Sequence, residues 1–263
     1  MPTPFAPAPE RARLHDQITR QLALRVIQSE RAAAPAVFPN ESELCQQLGV
    51  SRTVLRESMK VLADKGMIEM RPRTGTRARP RSQWRLLDPD ILAWQAGLEP
   101  DAAFLRDLCE VRLGIEPTAA GFAALRATRA EIENIGRCLR EREEPPPGSR
   151  FEEITVLDLD FYGAVVAASH NPLLQHLSAI VREPFRTALL YTSRNPANVR
   201  LSIEAQRELF EAVRRGDPLG ARKAAEQAVG LAMLAVEEVT RSEVNPKRRP
   251  ARQRSTPPAG ERR

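Results

Sequence analysis

The sequence predicts a mainly α protein in two parts, a small N-terminal domain of short helices with one β hairpin and a larger all-helical C-terminal region. Apolar residues recur at helical spacing through most of the chain, and from Asp101 onward no stretch alternates as a β strand does. Before that point, two short extended pieces flank a turn at Gly75. The length of 263 residues is sufficient for two separate cores.

The N-terminal region contains three predicted helices. Four apolar residues share one face of the first: Leu14, Ile18, Leu22 and Val26. The second is short and covers residues 43–48. The third runs from Arg52 to Lys65, with Ser51 as its N-cap and Gly66 just past its end.

The C-terminal region contains six predicted helices: residues 101–127 (bent at Pro117), 128–142, 150–169, 172–192, 197–215 and 218–240. Thr128 and Glu131 have the spacing of a capping box at the start of the second of these. A connector precedes them and ends in a short helix. Both chain ends are rich in proline and have too few apolar residues to form a core.

Charge is distributed unevenly. Residues 1–81 hold 14 Lys/Arg against 8 Asp/Glu, residues 82–241 hold 19 against 24, and residues 242–263 hold 7 against 2. A basic N-terminal part favours a polyanion as partner, with plain solvated charge as the alternative. There is no secretory signal or apolar run of membrane-spanning length, and three scattered cysteines are typical of reduced core thiols. We therefore expect a cytoplasmic protein without a membrane partner.

The stretch "LGVSRTVLRESMKVLADKGMIEM" predicts a helix-turn-helix, two short helices joined by a turn that contains glycine. Four residues of its second helix form the buried stripe: Leu55, Ser58, Met59 and Leu62. Arg52, Thr53 and Arg56 then project from the first turns, the part of a recognition helix that meets base edges. The alternative is an amphipathic surface helix with incidental arginines.

The segment that follows favours DNA binding. "IEMRPRTGTRA" predicts a hairpin, or wing, with basic residues at Arg71, Arg73 and Arg77 around Gly75. Together these elements predict a winged helix-turn-helix, so double-stranded DNA is the expected partner. The predicted domains are a disordered N-terminus (1–10), the winged helix-turn-helix (11–79), a linker (80–98), the helical domain (99–241) and a basic disordered tail (242–263).

"FPNESELCQQLGVSRTVLRESMKVLADKGMIEMRPRTGT" resembles the DNA-binding domain of GntR-family bacterial transcription regulators over about 40 residues. The resemblance implies DNA contacts from five residues: Ser51, Arg52, Thr53, Val54 and Arg56. It also implies that the wing reaches the minor groove near Gly75. Two positions depart from the family pattern, because Ser42 replaces a common arginine of the second helix and Arg73 replaces the first wing glycine.

Residues 100–235 resemble the all-helical ligand-binding (FCD) domain of the FadR-type branch of that family, through "CEVRLGIEPTAAGFAALRAT", "LDLDFYGAVVAASHNPLL" and "EAQRELFEAVRRGDPLGARKAA". The resemblance implies an antiparallel helical bundle that encloses a ligand cavity and forms a homodimer. The expected DNA site is therefore a pseudo-palindromic operator.

Many members of that branch bind a metal ion through one aspartate and three histidines. The matching positions here are Asp158, Tyr162, Gln206 and Ala228, so only the aspartate is retained. We therefore expect no metal and no other cofactor. The alternative is a divalent ion held by Asp158 and Gln206 together with water.

The connector "RSQWRLLDPDILAW" resembles the linker of sugar-acid regulators of the galactonate-operon repressor type, although Trp84 and Trp94 could simply pack the linker. Arg112 lies on a helix whose Leu108, Val111 and Ile115 face the core, where its guanidinium could clamp a ligand carboxylate or pair internally with Glu116. Four further polar residues would hold a sugar-acid chain: Asp158, Tyr162, Asn171 and Gln206.

Three functions compete. The first is a transcription regulator, a repressor of sugar-acid catabolism that a small carboxylate releases from DNA. The second is a regulator that senses another carboxylate or acyl compound. The third is a helical-bundle enzyme, against which stands the absence of G-x-S-x-G, H-E-x-x-H, P-loop and Cys/His nucleophile motifs.

Overall fold

The computed structural model describes residues 10–34, 36–71, 75–98, 101–192 and 195–244. The chain divides into two compact units, one from 1–100 and 171–188 and the other from 101–170 and 189–263. The fold class predicted from the sequence is confirmed: a winged helix-turn-helix and an all-helical domain. The expected disorder at 1–10 and in the tail, and the position of Arg73, concern residues that lie mostly outside the described ranges. Within those ranges, helix already begins at Glu10 and the last helix runs as far as Val244.

The first unit begins with three helices and a hairpin. These are α1 (Glu10–Arg31), α2 (Glu41–Leu48), α3 (Arg52–Asp64), β1 (Ile68–Arg71) and β2 (Gly75–Ala78). The strands pair antiparallel with Ile68 opposite Ala78, and the backbone of 36–38 extends the sheet through bonds to β2. The Ser51 hydroxyl accepts a hydrogen bond from the Val54 amide, so the predicted N-cap of α3 is confirmed.

The core of this unit contains the predicted stripe of α3: Leu55, Ser58, Met59 and Leu62 are all buried. The prediction for α1 was wrong at Leu14, which is 39% exposed. Residues four apart are separated by about 400° around a helix, so a row spaced by four drifts by about 40° per turn. Ile18, Leu22 and Val26 remain on the buried side, and Leu14 rotates away from it.

The connector packs into this core. It consists of a single 3-10 turn (Arg81–Gln83) followed by α4 (Pro89–Ala96), and Trp84 and Trp94 are only 6% and 9% exposed. The Trp84 indole Nε1 donates to the Arg79 carbonyl at 2.9 Å. The prediction that these tryptophans pack the linker is therefore confirmed.

Contacts at the end of α3 hold the connector in place. Gly66 has φ +78°, and a Cβ there would lie 2.3 Å from the Gln83 carbonyl oxygen, so the close approach requires glycine. The Lys65 ammonium lies 2.7 Å from Asp88 and 2.8 Å from Asp90. The end of the recognition helix is thus tied to the connector by packing and by charge.

The second unit contains α5 (Ala102–Arg126), α6 (Arg129–Glu143), α7 (Phe151–Ala167), α9 (Pro196–Arg214) and α10 (Pro218–Val244). Helix α5 continues through Pro117, and the capping box of Thr128 and Glu131 is confirmed. Helix α10 packs on α5 and α9, while α6 packs on α7 and α9. Phe161, Leu209 and Ile135 lie at the centre of the apolar core.

Helix α8 (Pro172–Thr192) lies within the sequence range assigned to the helical domain, but residues 171–188 group with the first unit by contacts. Apolar periodicity indicates which face of a helix is buried and not which surface it is buried against. The domain boundaries stay a prediction at this segment. No helix in the described ranges is long and apolar enough to cross a membrane.

Replacing Trp84 by alanine should destabilise the first unit by about 3–5 kcal/mol, because it removes a large buried side chain from the core. Both tryptophans of the chain lie in this unit, so the fluorescence of Trp94 should follow its unfolding in urea even if the other unit unfolds separately. Leu87→Ala is the control, since Leu87 is 51% exposed. Equal effects of the two substitutions would show that the connector does not stabilise this unit.

Candidate DNA-binding face and effector site

The N-terminal turns of α3 form an exposed face. Ser51, Arg52, Thr53 and Arg56 are exposed, as the helix-turn-helix prediction requires, whereas Val54 is half-buried and packs against the core. Ser51 is used as the N-cap, so its hydroxyl is directed at the helix backbone. The arginines and Thr53 are the side chains on this face that can reach a base edge.

Helix α2 holds both arginines in place. Arg52 Nη2 donates to Ser42 Oγ at 3.1 Å, so the serine at the position where the family pattern has arginine accepts from the recognition helix. Arg56 Nε and Nη2 donate to the two carboxylate oxygens of Glu41 at 2.6 and 3.1 Å. These bonds hold the pKa of Glu41 below its usual value. Because the pair is exposed, water screens it, and the Arg56 guanidinium can exchange Glu41 for DNA.

The wing contributes two further basic side chains. Arg71 and Arg77 are exposed, on different strands of the short ladder, and Arg71 Nε lies 3.0 Å from a Glu69 oxygen. Gly75 opens β2 with φ +85°, and a Cβ added there would meet no atom within 4 Å. Its backbone conformation, and not a lack of space, therefore favours glycine.

The helical domain contains a buried polar cluster, defined by six residues: Arg112 and Glu116 on α5, Arg142 on α6, Asp158 and Tyr162 on α7, and Gln206 on α9. Arg112 donates to both oxygens of Glu116, at 2.6 and 2.9 Å, which is the internal pairing named as the alternative for this residue. Burial opposes the charge of Arg112, but Glu116 raises the pKa of the guanidinium above its usual value.

Arg112 lies nearer the centre of the buried face than the sequence suggested. Leu108 and Ile115 are buried as predicted, but Val111 is 38% exposed and that prediction was wrong. The buried face of α5 is rotated toward Cys109, Arg112 and Glu116, which follow one another at spacings of three and four residues. This rotation was not predicted, because two of the residues on the buried face, Arg112 and Glu116, are charged.

The second ion pair of the cluster joins two helices. Arg142 Nε donates to Asp158 Oδ1 at 3.1 Å, and the two side chains are 4% and 5% exposed. Gln206 Nε2 donates to the same oxygen at 2.8 Å, and Ser202 Oγ lies 3.5 Å from it. The carboxylate accepts only, so this bond fixes the orientation of the amide and leaves Gln206 Oε1 without a hydrogen-bond partner among the described residues.

Tyr162 completes the cluster. Its ring centroid lies 5.3 Å from the Arg112 guanidinium carbon. Burial raises the pKa of Tyr162 well above its usual value, and the nearby Asp158 carboxylate adds to that increase. The phenol therefore stays protonated and can both donate and accept a hydrogen bond.

Arg142 was not among the predicted site residues, and Asn171 was predicted to be one but does not belong to the polar cluster. Ile135, Cys138, Leu139 and Arg142 follow the apolar spacing of α6, so an arginine on that stripe was the available signal. Asn171 Oδ1 accepts from the Leu173 and Leu174 amides. Asn171 thus caps the start of α8 and groups with the first unit, whereas the polar cluster belongs to the second.

A surface groove of about 560 Å³ lies along α9 and α10, lined by Arg207, Glu211, Arg215 and Lys223 among others. It is open to solvent, carries both signs of charge and contains no member of the polar cluster. The polar cluster is the candidate effector site, because its polar groups are buried and directed at one another.

Comparison with known proteins identifies the family. A model of bacterial regulatory proteins of the gntR family matches residues 14–77, and the FCD domain matches residues 107–230. The galactonate operon transcriptional repressor of Escherichia coli K12 is 31% identical over 204 residues, which cover 77% of this chain and 88% of that protein. The chain belongs to the GntR family.

Two further proteins resemble this chain. The putative L-lactate dehydrogenase operon regulatory protein of Escherichia coli K12 is 29% identical over 222 residues, covering 81% of this chain and 82% of that protein. Among solved structures, Lar, which controls the expression of the Listeria monocytogenes agr system, has a TM-score of 0.58 at 15% identity, covering 90% of this chain and 99% of that chain, and so supports the fold alone. The protein is a DNA-binding transcription regulator with an FCD domain.

The metal site of other FCD domains does not fit the residues of this GntR-family chain. Asp158 already accepts hydrogen bonds from Arg142 and Gln206, Tyr162 stays protonated, and Ala228 is part of the apolar core. Within the described ranges, no three His, Cys, Asp or Glu side chains cluster as metal ligands would.

Replacing Arg52 by alanine should weaken binding to an operator selected in vitro by about 10- to 100-fold, because a bidentate contact to a base is lost. Arg77→Ala should weaken operator and random duplex alike and lower the salt slope by about 1. Fluorescence anisotropy with both duplexes at several salt concentrations measures this, with exposed Arg129→Ala in the helical domain as control. An equal loss on both duplexes for Arg52→Ala would mean that Arg52 does not read bases.

Replacing Arg142 by methionine should destabilise the helical domain by about 3–5 kcal/mol, because it leaves the Asp158 carboxylate buried without its ion partner. The double variant Arg142→Met/Asp158→Leu should recover most of that loss. Urea unfolding followed by far-UV circular dichroism measures both. Arg137→Met on the exposed side of α6 is the matched control and should leave the unfolding free energy unchanged. A single variant as stable as the double would contradict the pairing.

Proposed function

We propose that this GntR-family regulator represses a sugar-acid (galactonate-like) pathway and leaves its operator when a small carboxylate binds the polar cluster of the FCD domain. The observation that carries the proposal is Gln206 Oε1, a fully buried carbonyl oxygen with no hydrogen-bond partner among the described residues. Such an atom costs about 1–3 kcal/mol, which a ligand hydroxyl that donates to it would recover.

Arg112 is the carboxylate clamp in this proposal. Its guanidinium already holds the two oxygens of Glu116 in the geometry that suits any carboxylate. A ligand carboxylate would take the place of Glu116, whose side chain is 11% exposed and therefore lies near the edge of the buried region. Glu116 thus acts as the internal competitor of the ligand.

Neutral groups beside the clamp support a polyhydroxylated ligand. The Tyr162 phenol can donate or accept, and Gln206 Oε1 accepts. Hydroxyl groups along a short chain could satisfy both. The combination of the Arg112 cation with neutral polar groups favours a hydroxy acid over a fatty acyl chain, which would leave Gln206 Oε1 unpaired.

DNA release follows from linkage. A ligand that binds more tightly to a DNA-incompetent state lowers operator affinity by the ratio of its affinities for the two states. With one recognition helix per chain, a homodimer on a pseudo-palindromic operator provides two half-sites.

A second candidate is a regulator of another small carboxylate. It is favoured by the 29% identity to the putative L-lactate dehydrogenase operon regulatory protein. Galactonate and lactate are both hydroxy acids, and chain length separates them. A panel of aldonates and short hydroxy acids distinguishes the two candidates. Turnover of any of these compounds by the purified protein would instead indicate an enzyme.

Arg112→Ala should abolish the response to the effector, with a loss of about 2–5 kcal/mol of ligand binding free energy, while operator binding is retained. Glu116→Gln should have the opposite effect and bind the ligand more tightly, because the internal competitor is neutral. Calorimetry with the panel and operator release by anisotropy measure both variants.

The two variants separate the clamp from a structural role. If the pair only stabilises the fold, both should lower the unfolding free energy and leave ligand affinity unchanged. Arg137→Ala on the exposed side of α6 should change neither quantity.

A further inference from the structure

We infer that Arg142 is a built-in cation that takes the place of the metal ion at Asp158, so that charge as well as the missing imidazoles excludes a metal from this FCD domain. Asp158 is the one position of the metal pattern that the chain retains. Its Oδ1 accepts from Arg142 at 3.1 Å and from Gln206 at 2.8 Å.

The charge balance of the polar cluster supports this. Arg112 and Arg142 carry two positive charges, and Glu116 and Asp158 carry two negative charges, so the cluster is neutral. A divalent ion beside Asp158 would add two positive charges that no other member of the cluster offsets. Uncompensated charge away from water is strongly unfavourable.

Arg142 lies close enough to Asp158 to repel directly an ion bound there. Arg142 donates to Asp158 Oδ1, so an ion bound by either oxygen of this carboxylate would lie close to the guanidinium, and both side chains of the pair are at least 95% buried. Little water is present to screen the repulsion between the guanidinium and an ion at this distance. Arg142 lies on α6, whereas the positions matched to the metal pattern lie on α7, α9 and α10.

The test restores imidazoles and then removes the charge. The double graft Tyr162→His/Gln206→His supplies two imidazoles next to Asp158, a sufficient ligand set for Ni²⁺ with water in the remaining positions. It is combined with Arg142→Gln, which is neutral and can still donate to Asp158, or with Arg142→Lys, which retains the charge. Ni²⁺ affinity is measured by calorimetry after treatment with a chelator, so the outcome does not depend on the effector.

The graft with Arg142→Gln should bind Ni²⁺ at least about 100-fold more tightly than the graft with Arg142 or with Arg142→Lys. Arg137→Gln in the graft is the matched control from the exposed side of α6 and should change nothing. Wild-type protein should bind no stoichiometric Ni²⁺. Equal Ni²⁺ affinity of the graft with and without the Arg142 charge would overturn the inference, as would stoichiometric binding by the wild type or no binding by the folded graft with Arg142→Gln.

Folding of the neutral variant provides a second measurement. If Arg142→Gln in the graft does not fold alone, Ni²⁺ is added during refolding, because an ion that binds the native state shifts the equilibrium toward it. Recovery of the helical circular dichroism signal with Ni²⁺, and not with Mg²⁺, counts as binding. Failure to recover would overturn the inference.

Discussion

The helical domain depends on the neutralisation of two guanidinium groups at its centre. Arg112 and Arg142 lie on the buried faces of α5 and α6, where an unpaired charge would be prohibitive. One is paired within its own helix and the other with α7, whose Asp158 is bound in turn by α9. The relative positions of α6, α7 and α9 are therefore constrained by directional bonds as well as by apolar packing, which alone tolerates sliding.

The protein uses the same chemistry, arginine with carboxylate, in two ways. On the DNA-binding face the pair of Arg56 and Glu41 is exposed, so breaking it costs little and the guanidinium is available to another anion. In the polar cluster the pairs are buried, so an exchange takes place only when the incoming group replaces what is lost. Burial thus decides which arginine can exchange its carboxylate partner at little cost and which cannot.

Features set by short stretches of sequence could be predicted. The N-cap Ser51, the capping box at Thr128 and the buried stripe of α3 each depend on residues a few positions apart. Features set by tertiary contacts could not. Leu14 and Val111 were wrongly predicted to be buried, because helical spacing identifies an apolar stripe but not the residue at its centre. A charged residue on such a stripe, such as Arg142, is predicted to face solvent unless its partner on another helix is known. The grouping of residues 171–188 is of the same kind.

The connector, finally, affects how such regulators can be recombined. Since Trp84, Trp94 and Leu98 pack in the core of the first unit and Lys65 is bound by Asp88 and Asp90, a portable DNA-reading module has to extend at least through Leu98 and cannot end at the wing. A hybrid regulator joined near residue 80 would remove Trp84 and Trp94 from the core that they complete and pack the connector of another protein in their place. Exchange of recognition specificity between relatives is therefore best carried out with the connector as part of the transferred module.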